Sequence, residues 1–247
     1  MCPAGRAVVF LVVVALAGIG CSPARPRQSL PAPPPSAPAP PSPSASHLPS
    51  PPASPTPPAA FSATVSQEDA SDLGATWHAG CPVAPDQLSG ITLTYWGFDN
   101  QPHEGRIVVA TSVVPAVETV FRTLYGERFP IRSMRPVSDY GGSDPASTAA
   151  DNTAGFNCRD AVAAGPPTWS EHAYGLAIDV NTVENPYLEG GQVQPPNATA
   201  YVNRSDVRPG MAVPGGELVR AFASIGWGWG GNWAGTPDYQ HFSSTGH

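Results

Sequence analysis

The chain has 247 residues, 32 prolines and a formal charge of −7. All 12 basic residues are arginine, and all 19 carboxylates lie at or beyond Glu68, so the part from Thr64 onward holds nine Arg and carries −10. A nucleic-acid binder needs a basic surface to displace phosphate counterions, and this composition argues against nucleic acid as a partner.

At the N-terminus, Arg6 precedes an apolar run from Ala7 to Ala17, the length of an export signal rather than of a membrane span. Gly18-Ile19-Gly20-Cys21 resembles a bacterial lipobox, with Gly18 where leucine is usual. Residues 1–20 are therefore read as a signal peptide and Cys21 as a lipidated first residue; a plain secretory signal or an uncleaved anchor stays open. Sixteen prolines fall between Pro23 and Pro58. Residues 21–63, rich in Pro, Ala and Ser, cannot bury enough apolar surface to offset their ordering entropy and are expected to form a disordered, extended linker. Residues 64–247 are a comfortable size for one domain with a single core. In an exported protein whose Cys2 is removed and whose Cys21 is lipidated, Cys81 and Cys158 are expected to pair as a disulfide, with a cysteine nucleophile as the alternative.

Within the domain, Ile91–Trp96 and Arg106–Ala110 are rich in β-formers and flank the turn-like Asp99-Asn100-Gln101-Pro102, which predicts a hairpin. Pro115 opens a segment with Val117, Val120, Phe121 and Leu124 at helical spacing, with Gly126 as its expected C-cap. Phe129–Met134 suits a strand. Leu218, Val219, Phe222 and Ile225 predict a second helix ending at Gly226. Hairpins with few helices favour an α+β fold over a doubly wound parallel sheet.

Ser170-Glu171-His172-Ala173-Tyr174-Gly175-Leu176-Ala177-Ile178-Asp179-Val180-Asn181 carries the densest chemical content. If Gly175–Val180 is a strand, Leu176, Ile178 and Val180 share a buried face, while Gly175, Ala177 and Asp179 share the other and leave open space above it. His172, Asp179 and the distant His241 offer two imidazole nitrogens and one carboxylate oxygen. Three protein ligands with a fourth position open is the arrangement of a catalytic zinc, whose water ionises near neutral pH. Asp238, three residues before His241, is placed to take and return that proton.

Ser-x-His-x-x-Gly-x-Ala-x-Asp, from Ser170 to Asp179, followed by Asp-x-x-His from Asp238 to His241, resembles the signature of the VanY-type zinc D-alanyl-D-alanine peptidases. Asp151–Arg159 and Gly230–Trp233 extend the likeness, which spans roughly Ile91 to Phe242. The resemblance implies a small antiparallel sheet backed by a few helices, as in the hedgehog domain. It also implies one Zn²⁺ per chain held by His172, Asp179 and His241, with Asp238 as general base. Arg159 would stabilise the oxyanion of the scissile carbonyl and Ser170 would contact substrate. The expected substrate is the peptidoglycan stem peptide. Removal of C-terminal D-Ala is favoured, with an L-alanyl-D-glutamate-type endopeptidase and a non-catalytic wall-binding lipoprotein as alternatives. The expected location is the outer face of the cytoplasmic membrane, through the lipid anchor, or the wall itself, and a monomer is expected.

Ser243 stands where many relatives carry Glu or Gln, which could loosen His241. Glu184–Met211, with Pro186, Pro195, Pro196 and Pro209, is read as a plain surface loop, with a cleft-lining role as the alternative. Trp227, Trp229 and Trp233 are assigned to packing rather than to ligand contact, and His78, His103 and His247 to the surface. Without lysine, a Ser-x-x-Lys peptidase is excluded, and no Gly-x-Ser-x-Gly elbow occurs.

Overall fold

The computed structural model describes residues 60–162 and 166–247. The signal segment, Cys21 and the linker as far as residue 59 lie outside the described residues. The packed part begins ahead of the expected boundary at Thr64. Phe61 packs against the core, with its ring 5.7 Å from Tyr125 and under the Arg122 guanidinium.

In chain order the elements are β1 (Ala63–Gln67), α1 (Ala70–Leu73), β2 (Leu88–Trp96), β3 (Pro102–Ala110), α2 (Val114–Glu127), α3 (Asp144–Ala149), β4 (Ala177–Asp179), β5 (Tyr187–Glu189), β6 (Gln192–Gln194), α4 (Glu217–Ala223), β7 (Gly228–Trp229) and β8 (His241–Ser243). The fold is α+β, with three small antiparallel sheets where one was expected: β1-β2-β3, β4-β8-β7 and β5-β6. The predicted hairpin is β2 and β3, paired from Leu88↔Ala110 to Trp96↔Pro102, with Asn100 at φ 56° in its turn.

The apolar stripe of α2, Val117, Val120, Phe121 and Leu124, packs on Ile91, Leu93, Ile107 and Val109 of the hairpin. The same core takes Ile178 and Val180 as well as Leu218, Phe222 and Phe242, with the last two rings stacked at 4.2 Å. This layer joins the two larger sheets and holds β4 and β8 in place.

Three local expectations are corrected. Gly126 lies inside α2, and the left-handed cap is Arg128 at φ 56°, whose guanidinium sits 4.8 Å over the Trp96 ring. That ring contact offsets the cost of a side chain in the left-handed region. Phe129–Met134 makes only single bridges, Trp96↔Pro130 and Met134↔Thr153, because Pro130 has no N–H to continue a ladder. Gly175 is not in a strand. It ends the 3-10 helix Glu171–Tyr174 at φ 68°, and a Cβ there would lie 2.4 Å from the Ala110 nitrogen, so it serves a turn and a close approach rather than open space.

Cys81 and Cys158 form a disulfide with a Cα–Cα distance of 5.9 Å. The bridge leaves no thiol for nucleophilic chemistry at either position.

Candidate active site

Two acceptor-bearing side chains are brought together by one pair of residues in a ladder. In the β4–β8 pair, Asp179 lies opposite His241, while Ile178 and Phe242 point to the core. The alternation of a strand thus puts a carboxylate and an imidazole side by side on one face. On its other edge β4 is held by a two-way backbone exchange between Asp179 and Ala154, at 2.9 and 3.0 Å. The next carbonyl, that of Gly155, accepts from His172 Nδ1 at 2.7 Å. His172 itself sits on the 3-10 helix Glu171–Tyr174, whose N-cap is Ser170: the Ser170 hydroxyl accepts from the His172 backbone N–H at 3.3 Å.

The three side chains close on one another. His172 Nε2 is 3.2 Å from His241 Nδ1 and 3.2 Å from Asp179 Oδ2, and His241 Nδ1 is 3.2 Å from Asp179 Oδ1. All three residues are buried. The outward ring nitrogens are occupied: His172 Nδ1 faces the Gly155 carbonyl and His241 Nε2 faces the His247 carbonyl oxygen at 3.2 Å. Carbonyls only accept, so each of those nitrogens carries its ring's proton, and the inward nitrogens are bare lone pairs. Two imidazole lone pairs and a carboxylate, converging inside a protein with no donor between them, fit a divalent cation. Their spacing suits the roughly 2.0–2.1 Å ligand distances of zinc. Two imidazoles and one carboxylate also accept other first-row ions.

Without an ion, the charges redistribute among the same groups. Burial opposes the charged form of His172, but the adjacent Asp179 carboxylate and its hydrogen bond win, and the imidazole is raised above its ordinary value. Asp179 is likewise opposed by burial, yet His172 and His241 together hold it well below the usual carboxylate range. The cluster is therefore a strongly cation-seeking site whatever the cation.

Asp238 lines the same cleft. Burial, and then repulsion from Asp179, push its carboxyl up to about 7, and its Oδ1 is buried with no hydrogen-bond partner among the described residues. A carboxyl poised near neutrality beside a cation site is equipped to exchange protons at physiological pH. Arg159 also lines the cleft; its Nε donates to Asp144 Oδ1 at 3.0 Å and its Nη1 to the Asp160 carbonyl at 3.2 Å. Its charge is felt at both His172 and Asp238.

The cleft, of about 460 Å³, is walled by Trp169, Tyr187, Pro195, Pro196 and Trp233 among others. Three sequence expectations change here. Glu184–Met211 is not a plain surface loop: it contains β5 and β6, supplies Tyr187, Gln194, Pro195 and Pro196 to the cleft, and buries Glu184 and Asn185. Asn185 Nδ2 donates to the Val180 and Gly210 carbonyls, and Arg204 binds the Glu184, Tyr201 and Ala212 carbonyls while stacking 4.4 Å from Tyr239. Trp227 and Trp229 are packed in the core as expected, whereas Trp233 lines the cleft 5.2 Å from the His241 ring. His247 is not a bystander, since its carbonyl oxygen accepts from both His241 and the Ser243 hydroxyl. Ser243 thus acts on the acceptor that orients His241, and no acidic residue is needed at that position. His78 remains away from the cluster, beside the disulfide.

Asp144, the partner of Arg159, had no signal in the sequence, nor did the backbone oxygens of Gly155 and His247. Tyr187 sat unmarked in the proline-rich stretch.

An α+β domain whose two sheet strands and one helical turn gather a buried His/Asp/His set at the base of an open cleft has the build of a metal-dependent hydrolase. Residues 164–244, the stretch that contributes His172, Asp179, Asp238 and His241, match a family model described as D-alanyl-D-alanine carboxypeptidase. The match supports a peptidase. Arg159 and Asp144 lie ahead of the matched segment. No curated protein and no solved structure gives a significant match to this chain.

Proposed function

We propose that this chain is a zinc-dependent peptidase of peptidoglycan stem peptides that removes a C-terminal D-Ala. The reading rests on one observation above all: the inward nitrogens of His172 and His241 carry no proton and meet Asp179 beside a cleft. In it, His172, Asp179 and His241 hold one zinc ion, which would supply Lewis acidity toward the scissile carbonyl and acidify a water. Asp238 takes the proton of the attacking water and returns it to the departing amine. Arg159, kept in place by Asp144, faces the charge that develops on the carbonyl oxygen. Ser170 orients the turn that carries His172 and borders the substrate. An exported protein tethered at Cys21, with residues 21–63 as spacer, would reach the wall from the outer membrane face.

One observation favours a second reading, cleavage at an internal bond. Among the described residues lining the cleft, Arg159 is the one Arg or Lys, and it is already engaged by Asp144. A terminal carboxylate would find no second cation. Mass spectrometry of digested muropeptides separates the two: loss of a single alanine marks the carboxypeptidase, and loss of a larger piece marks the endopeptidase.

The test of the enzyme itself is Asp238→Ala at matched zinc content. We expect turnover to fall by about 10²–10⁴-fold with zinc binding retained. If neither wild type nor variant releases an amine while both bind purified wall, the protein is a binding module and the peptidase reading falls.

A further inference from the structure

Three buried side-chain oxygens of the cleft residues lack a hydrogen-bond partner among the described residues: Asp238 Oδ1, Glu171 Oε2 and Gln240 Oε1. Asp238 is accounted for by its proposed exchange of protons. The other two are not. Gln240 is only 7% exposed, and it precedes His241 on the floor of the cleft. Glu171 lies across from it in sequence, on the helical turn that presents His172.

A buried acceptor left without a donor costs free energy, so native structures rarely keep one without a reason. The cleft has no spare donor to give. The Arg159 Nε and Nη1 are used by Asp144 and the Asp160 carbonyl, and the Trp233 indole N–H is used by the Gly246 carbonyl. The ring protons of His172 and His241 point away from the cluster, at backbone oxygens. The missing donor must then arrive with the ligand.

We propose that Glu171 and Gln240 form an edge of the cleft that selects substrates bearing an N–H donor, a carboxamide or a free amine, on a side chain beside the scissile bond, and that disfavours a free carboxylate there. The inference rests on the peptidase reading and adds to it the chemistry of the substrate side chain. It applies to a terminal or an internal cut alike. A site built to hydrogen-bond a group discriminates strongly against the analogue without it, because its own buried acceptors are then stranded. Facing a carboxylate, Glu171 and Gln240 Oε1 would in addition meet a second acceptor.

The experiment uses the exported domain with zinc and two pairs of synthetic stem pentapeptides. One pair differs only in a side-chain carboxyl left free or converted to the carboxamide, and the other only in a side-chain amine left free or acetylated. We expect a preference of at least about tenfold in kcat/KM for the donor-bearing member of one pair. The pair that discriminates identifies the donor as carboxamide or amine. Glu171→Gln, which offers an amide N–H of its own, should shrink that ratio about tenfold by improving the disfavoured peptide. A merely structural role would instead lower both peptides together. Gln240→Met, with a melting curve to certify folding, should shrink the ratio as well.

Ratios within about twofold in both pairs would overturn the proposal and assign the two oxygens to trapped water. If no peptide is cleaved, calorimetric binding of the same pairs reads the proposal alone. Preference retained in binding upholds it while the peptidase reading fails, and equal binding overturns it.

Discussion

The first and second halves of this domain reach order by opposite means. From β1 to α2, long strands and a helix of 14 residues satisfy their own backbone, and the buried side chains are mostly apolar. From Ser147 to Ser243 the strands are two or three residues long, and buried Asn, Thr, Glu and His side chains complete the backbone hydrogen bonds that ladders would otherwise make. The contrast teaches where chemistry can be housed. A carbonyl engaged in a ladder has less to offer a side chain, whereas the irregular half leaves the Gly155 and His247 oxygens to fix the tautomers of two imidazoles.

The sharpest break in that comparison is His172→Ala. Zinc content should drop from about one per chain to near zero and hydrolysis by roughly a thousandfold or more, read by elemental analysis and amine release. The hairpin and α2 should stay folded, as near-native far-ultraviolet dichroism would report. Next comes the apolar half. Phe121, fully buried between α2 and the hairpin, should cost about 3–5 kcal/mol as Phe121→Ala in urea unfolding, with zinc binding surviving in the fraction that folds.

A smaller effect sharpens the contrast from the other side. Asn185 satisfies the Val180 and Gly210 carbonyls and accepts from Ala212, so Asn185→Ala should cost about 1–3 kcal/mol. Faster amide exchange should concentrate in 180–212 and spare β2 and β3. The smallest effect is one of pH. Burial, followed by its contacts with Asp151, raises the Glu184 carboxyl to about 7. The folded state then binds this proton more tightly than the unfolded chain, so the associated stability is complete below about 4.5 and is lost as pH rises through about 7. Glu184→Gln should flatten that slope by about 1 kcal/mol or more between pH 5 and 8. A variant whose urea midpoints keep the wild-type slope would assign the slope to another group.

The regular half was legible because its side chains follow periods of 2 and 3.6: the hairpin and the α2 stripe appear where alternation and helical spacing put them. Its misread boundary, Gly126 for Arg128, turned on a ring contact with Trp96 that no local rule contains. The cluster of His172, Asp179 and His241 was legible through motif resemblance, and the meeting of the three side chains matches it. Their supports were not legible. Gly155 and His247 act through backbone oxygens, which any residue could provide, and Asp144 reaches Arg159 from a helix with no motif of its own. Glu184–Met211 looked like surface because its four prolines signal irregular chain, yet irregular chain can be buried when Asn and Arg side chains take up its polar groups.

The Asp179↔His241 register has a consequence for how such a protein can vary. Slipping β8 by a single residue would present Phe242 or Gln240 to Asp179 and dismantle the cation cradle, so insertions or deletions within 238–243 should be fatal. The 184–211 excursion is anchored at its base by Asn185, and its outer turns can lengthen or shorten without disturbing that register. What the cleft grips is thereby uncoupled from how it cuts, and new wall chemistries are within reach of changes in one loop.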